Sequence, residues 1–139
     1  MTRILVDTSV WSLALRKKER SQSEEILISR LSEIIRDIQL VMIGPIRQEI
    51  LSGISDKTKF EELKDKISIF RDFEIHTRDY ELAAVFYNEC RRNGVQGSHI
   101  DFLICAVAHN NGLKILSLDN DFRNYQEYIG IDLEETRSV

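Results

Sequence analysis

Short apolar runs alternate along this chain with longer stretches of helical periodicity, and that alternation constrains the fold more than any other feature. Ile4-Leu5-Val6, Leu40-Val41-Met42-Ile43 and Lys114-Ile115-Leu116-Ser117 read as buried strands. Phe73-Glu74-Ile75 reads as a weak third strand, and Ile129 to Leu133 as a last one at the edge. Between them, Leu27, Leu31, Ile34, Ile35 and Ile38 keep helical spacing, as do Phe60, Leu63 and Ile67, and again Leu82, Val85, Phe86 and Cys90. Pro45 suits the first turn of a short helix that carries Glu49 and ends near Gly53. Thr77 is placed to cap the long helix, Arg91-Arg92-Asn93-Gly94 to stop it, and Asn111-Gly112 to turn the chain. Strands separated by helices pair in parallel through right-handed crossovers. The expected fold is therefore α/β, one domain over residues 1–139 with a parallel sheet of about five strands.

Composition narrows the function. With 42% hydrophobic residues, six Gly and one Pro, the chain has a core to bury and neither a disordered nor a turn-rich all-β profile. Cys90 and Cys105 form no CxxC pair, and neither an HExxH nor a close pair of histidines occurs, so a zinc site is not supported. Cys105 lies in the run Phe102 to Ala108 and reads as core. No apolar stretch approaches the roughly 20 residues of a membrane span, and the chain enters its first strand too soon for a signal peptide, so the expected compartment is the cytoplasm. The net charge of −4 speaks weakly against a nucleic-acid partner. Were five acids neutralised in one cation site, the remainder would be close to neutral, so such a partner stays open.

The acids recur at matching places. Asp7 follows the first strand directly, in Asp7-Thr8-Ser9. Glu49 follows the second by about one helical turn, and Asp101 opens a very apolar helix after Ser98. Asp119 and Asp121 follow Ser117 at the end of the Lys114 strand. Each has an ordinary explanation: Asp7 and Asp119 as helix caps, Glu49 as solvated surface, Asp101 at capping-box spacing from Ser98, Asp121 at a helix N-terminus. Their recurrence argues for more, because parallel strands present all their C-terminal ends on one side of the sheet. Carboxylates gathered there repel one another and must take up protons or bind a cation. Oxygen-only donors suit Mg²⁺ or Mn²⁺.

Taken together, Val6-Asp7-Thr8-Ser9-Val10-Trp11, Pro45 to Glu49 with Ile50-Leu51-Ser52-Gly53, Asp101 with Phe102-Leu103-Ile104, and Ser117-Leu118-Asp119-Asn120-Asp121-Phe122 resemble the PIN-domain family. The likeness is strongest to the small VapC-type toxins of toxin–antitoxin pairs. It spans nearly the whole chain; no single motif is specific, but the ordered set is. Gly44-Pro45 stands where many relatives have a threonine. The resemblance implies a three-layer α/β/α fold with strand order 3-2-1-4-5 and a metal-dependent endoribonuclease. It implies catalytic roles for Asp7, Glu49, Asp101 and Asp119, holding Mg²⁺ or Mn²⁺, with Glu49 bound directly or through water. Asp121 matches a further acid that supports the first ion or takes a second, and Thr8 and Ser117 match small polar residues lining the pocket. Hydrolysis by activated water would leave 5′-phosphate and 3′-hydroxyl ends. A homodimer, and an antitoxin whose tail blocks the acidic pocket, are implied as partners.

RNA approaching an acidic pocket needs basic flanks. Arg16, Lys17, Lys18 and Arg20 form one candidate cluster and Arg91 with Arg92 another, although solvated helix ends are the ordinary reading of both. His76 and His109 sit at segment ends, and His99, two residues before Asp101, falls on a different helix face, so all three read as surface or loop residues. Two rivals remain: a non-catalytic scaffold with the same fold, and a receiver-type signalling domain. The second would want an acidic pair after strand one and an Asp leaving strand three, whereas Asp7 is alone and Phe73-Glu74-Ile75-His76 offers no Asp.

Overall fold

The computed structural model describes residues 1–135. At its centre lies β1 (Ile4–Val6), with all three side chains buried. It is flanked by β2 (Leu40–Val41) and β3 (Lys114–Leu116), and β4 (Asp132–Leu133) lies beyond β3. The order is β2-β1-β3-β4 and every pairing is parallel. Parallel strands need long crossovers, and helices supply them. α1 (Thr8–Arg16) and α2 (Gln22–Arg36) connect β1 to β2. α3 (Gly44–Leu51), α4 (Lys57–Ile67), α5 (Thr77–Arg92) and α6 (His99–Asn111) connect β2 to β3, and α7 (Asp121–Gln126) leads to β4. α1 packs on α2 and α3, α3 on α4, α5 on α6, and α6 against β3. Burial follows hydropathy most completely in α6, where every residue from Phe102 to Ala108 is buried.

The strand order reproduces 3-2-1-4-5, but its first place is reduced to one bridge between Met42 and Asp72, so four strands form among the described residues rather than five. Phe73 N–H donates to the Met42 carbonyl at 2.6 Å, and no ladder continues through Phe73-Glu74-Ile75. The Arg47 side chain instead pins the preceding turn, donating to Asp72 Oδ1 at 2.9 Å, to the Ile67 carbonyl at 2.9 Å and to the Phe70 carbonyl. The last strand is likewise shorter than Ile129 to Leu133. Ile129 and Ile131 are buried in the turn before it.

Three helical expectations are corrected. Val85 is 56% exposed, because α5 turns Asp79, Phe86 and Cys90 inward instead. Thr77 begins α5 rather than capping it; His76 holds the cap position, and its N–H donates to Asp79 Oδ2 at 2.8 Å. Ile38 does not continue the apolar face of α2: it is 86% exposed, with φ +58°. It closes the helix instead, its N–H bonding the Ile35 carbonyl while Gln39 N–H bonds the Ile34 carbonyl. That pair of bonds is the helix stop that favours glycine at the left-handed position. A β-branched residue there is strained by about 1 to 2 kcal/mol. Ile38→Gly is expected to raise the thermal midpoint by a few degrees in a melting experiment; an unchanged or lower midpoint would mean that the Ile38 backbone carries no strain.

No helix of the described residues is long and apolar enough to cross a membrane.

Candidate active site

Register builds the site before any side chain is considered. Val6 pairs with Leu116, so the residues that follow each strand, Asp7 and Ser117, emerge side by side. Asp7 N–H bonds the Leu116 carbonyl at 2.9 Å. Asp7 occupies the N-cap position of α1 but makes no side-chain cap bond. Its carboxylate is buried, and Oδ2 accepts from Ser117 Oγ at 2.8 Å and Ser9 Oγ at 2.9 Å. The two serines tie the strand exits together further: Ser9 Oγ accepts from Leu118 N–H, and Ser117 Oγ from Asp119 N–H.

The other acids arrive on helices. Thr8 Oγ1 donates to Glu49 Oε1 at 2.7 Å, which fixes α3 to the start of α1 and leaves Glu49 half-buried. Arg16, at the end of α1, donates to the Ile50 carbonyl and holds the same helix from its other end. Ser98 caps α6 by accepting from Asp101 N–H, and the Asp101 carboxylate accepts from Tyr125 Oη at 2.7 Å. Asp119 Oδ1 accepts from Asp121 N–H at 2.9 Å across the turn into α7, but Asn120 and not Asp119 holds the cap position of that helix.

Oxygens of Asp101, Asp119 and Asp121 all lie within 4.8 Å of one another. Six-coordinate Mg²⁺ places opposite ligands about 4 Å apart, so small side-chain rotations bring these three carboxylates to one hard cation. The donor set is oxygen alone, which fits Mg²⁺ or Mn²⁺ and not a thiolate-preferring metal. Asp121 thus belongs to the tightest acidic group, while Asp7 and Glu49 lie outside it, each bound to its own hydroxyl partners.

Among the acids at the strand exits, the setting of Asp101 acts on its acidity. Burial pushes its carboxyl above the ordinary carboxylate range; the Tyr125 hydrogen bond offsets part of that rise, and the charges of Asp7 and Asp119 add to it. Burial and the Asp101 carboxylate together push the Tyr125 phenol strongly upward, so its proton stays on the hydroxyl.

A parallel sheet with acids gathered at the carboxyl ends of β1 and β3 is the architecture against which relatives can be compared. The family model of the PIN domain matches residues 4–128. The chain belongs to the PIN domain family. No curated protein matches it in sequence. Three solved structures show how far the fold extends. FitAcB from Neisseria gonorrhoeae superposes with a TM-score of 0.76 at 19% identity, over 96% of this chain and 97% of that one. DNA-bound VapBC from Salmonella typhimurium gives 0.71 at 16%, over 96% and 98%. VapBC2 from Rickettsia felis, bound to a promoter DNA fragment, gives 0.76 at 13%, over 96% and 98%. At such identities the likeness is one of fold.

In this PIN domain the two basic clusters are largely engaged with the chain itself. Lys17 pairs with Glu24 at 2.8 Å, and Arg20 donates to the Ala14 and Lys17 carbonyls. Arg91 donates to the Tyr87 hydroxyl, and Arg92 pairs with Glu89. Of the six, Lys18 alone has no hydrogen bond or ion pair among the described residues. Sequence reasoning gave no separate role to Ser9 and overlooked Tyr125. Ser9 carried a signal, as a hydroxyl two residues beyond an acid at a strand exit. Tyr125 carried a weaker one: three residues after Phe122, it reads as core with a polar tip that needs a partner.

Proposed function

We propose that this PIN domain is a metal-dependent endoribonuclease, acting as the toxin of a toxin–antitoxin pair. One observation carries the chemistry: three carboxylates close enough to share a hard cation, beside Asp7 at the strand exits. The resemblance to VapC-type toxins, and the likeness of the fold to VapBC and FitAcB, support the toxin role and an antitoxin partner. The homodimer rests on that resemblance alone.

Asp101, Asp119 and Asp121 would hold Mg²⁺ or Mn²⁺, with Asp7 and Glu49 contributing directly or through water. Bound there, the cation supplies Lewis acidity to the RNA phosphodiester and to the attacking water. The chain's own part is positioning. Ser9 and Ser117 fix the Asp7 carboxylate, Thr8 fixes Glu49, and Tyr125 fixes Asp101, so few side chains need to rearrange when charge is added. Phosphate contacts fall to Lys18 and to the exposed faces of Lys17, Arg91 and Arg92, so RNA binding weakens steeply with salt.

The test is cleavage of end-labelled RNA by the purified, antitoxin-free protein in Mg²⁺ or Mn²⁺ and in EDTA, with the termini mapped. The expected result is cleavage that EDTA abolishes, yielding 5′-phosphate and 3′-hydroxyl ends. Early products ending in a 2′,3′-cyclic phosphate, or cleavage that persists in EDTA, would overturn the reading.

A further inference from the structure

Tyr125 is fully buried at 0% exposure, yet it carries a hydroxyl that packing alone does not require. Its ring lies 4.8 Å from that of Phe102 and 5.4 Å from that of Phe122. Each of those phenylalanines directly follows an acid of the tight carboxylate group, Asp101 on α6 and Asp121 on α7. One aromatic cluster therefore sets the distance between the two helix starts that bring the acids together. The hydroxyl completes the arrangement by donating to Asp101 Oδ2 at 2.7 Å, its one hydrogen bond among the described residues.

Room for that hydroxyl comes from Gly97. A Cβ built at position 97 would lie 2.4 Å from Tyr125 Oη, 2.8 Å from its Cζ and 2.8 Å from Phe102 Cε2. No side chain larger than hydrogen fits there unless Tyr125 or the loop moves. A phenylalanine at 125 would keep the ring contacts without burying a polar group that must find a partner. The buried hydroxyl and the glycine that accommodates it thus converge on one carboxylate oxygen.

We infer that Tyr125 is a positioning residue for the metal site, with Gly97 as the position that makes room for it. Its hydroxyl occupies Asp101 Oδ2, fixes the plane of the carboxylate and leaves Oδ1 as the oxygen offered to the cation. The inference rests on the acidic group being a metal site, as proposed above. Removing a hydrogen-bond partner that orients a ligand typically weakens metal affinity about 10- to 100-fold.

The experiment is Mn²⁺ titration of the full chain, reading free Mn²⁺ by electron paramagnetic resonance, for wild type, Tyr125→Phe, Gly97→Ala and Asp101→Asn. A melting curve of each metal-free sample runs alongside. Tyr125→Phe is expected to weaken Mn²⁺ binding about tenfold while its melting midpoint stays within a few degrees of wild type. Gly97→Ala keeps every ligand and the hydroxyl but crowds the hydroxyl off its bond, so it should show the same defect in the folded fraction, together with lost stability. For cleavage, Tyr125→Phe should raise the Mn²⁺ concentration giving half-maximal rate and leave the rate at saturating metal largely intact, a split that lost packing would not produce. Wild-type affinity in Tyr125→Phe, with affinity lost in Asp101→Asn, would overturn this inference alone. Affinity retained in Asp101→Asn would overturn the metal-site reading and the inference with it.

Discussion

Asp101→Asn is expected to lower metal-dependent RNA cleavage by about a thousandfold or more while leaving the fold intact. The substitution preserves shape, and the new amide oxygen still accepts from the Tyr125 hydroxyl. It removes one of the three charges within 4.8 Å of one another, and so the attraction that would draw a dication between Asp119 and Asp121. The same residue gives a prediction of opposite sign for stability. Burial raises the Asp101 pKa in the folded state above its unfolded value of about 3.8. The folded protein therefore holds that proton more tightly than the unfolded chain. This contribution to metal-free stability is fully present below the unfolded pKa and is lost as pH rises through the folded one. At neutral pH, Asp101→Asn removes a partly buried charge and should melt a few degrees higher than wild type without metal. Added Mn²⁺ should stabilise wild type and not the variant. Initial cleavage rates with metal titrations, and melting curves at pH 4 and 7.5, check both parts. Cleavage within threefold of wild type would mean that the acidic group is not what cuts RNA.

The second large effect lies away from the site. Asp79→Ala is expected to destabilise the protein by about 3 kcal/mol. Asp79 is fully buried near the start of α5. One oxygen accepts from His76 N–H at 2.8 Å, and the other accepts from Asn110 Nδ2, near the end of α6, also at 2.8 Å. The carboxylate thus caps one helix and clamps it to its antiparallel neighbour. Truncation leaves two part-buried hydrogen-bond donors without their acceptor and opens a gap between the helices. Asp79→Asn keeps the shape but offers one acceptor oxygen for two donors, so about half the loss should remain. Urea unfolding of the metal-free protein measures both. A loss under about 1 kcal/mol for Asp79→Ala would show that water replaces the carboxylate at no great cost. Because α6 carries Asp101 at its other end, Mn²⁺ affinity in the folded Asp79→Asn variant should match wild type, which separates this clamp from the site.

The position of each acid along the chain was legible because it depends on local pattern. Asp7 and Asp119 follow apolar runs, Asp101 opens an apolar helix, and parallel pairing requires strand exits to share an edge. The third strand was misjudged because Phe73-Glu74-Ile75 keeps the alternation of a strand. Phe73 and Ile75 are half-buried with Glu74 exposed, but only the Asp72–Met42 bridge forms beside the turn that Arg47 holds. Ile38 and Val85 were misplaced for a related reason: periodicity finds an apolar face but does not say where a helix stops or which edge of the face meets the neighbour.

By itself, then, the sequence determined the alternation of strands and helices, the parallel sheet, and the set of acids at its carboxyl edge, since hydrophobic period and chain order fix these without long-range information. Tertiary packing set how the acids divide. Asp101, Asp119 and Asp121 form the close group, Asp7 is held by Ser9 and Ser117, and Glu49 is held by Thr8. It also decided that the buried Tyr125 reaches Asp101 and that Gly97 must be small for it to do so. Most of these contacts join residues far apart along the chain, and angles and tenths of an ångström in close packing set them, which local pattern does not encode.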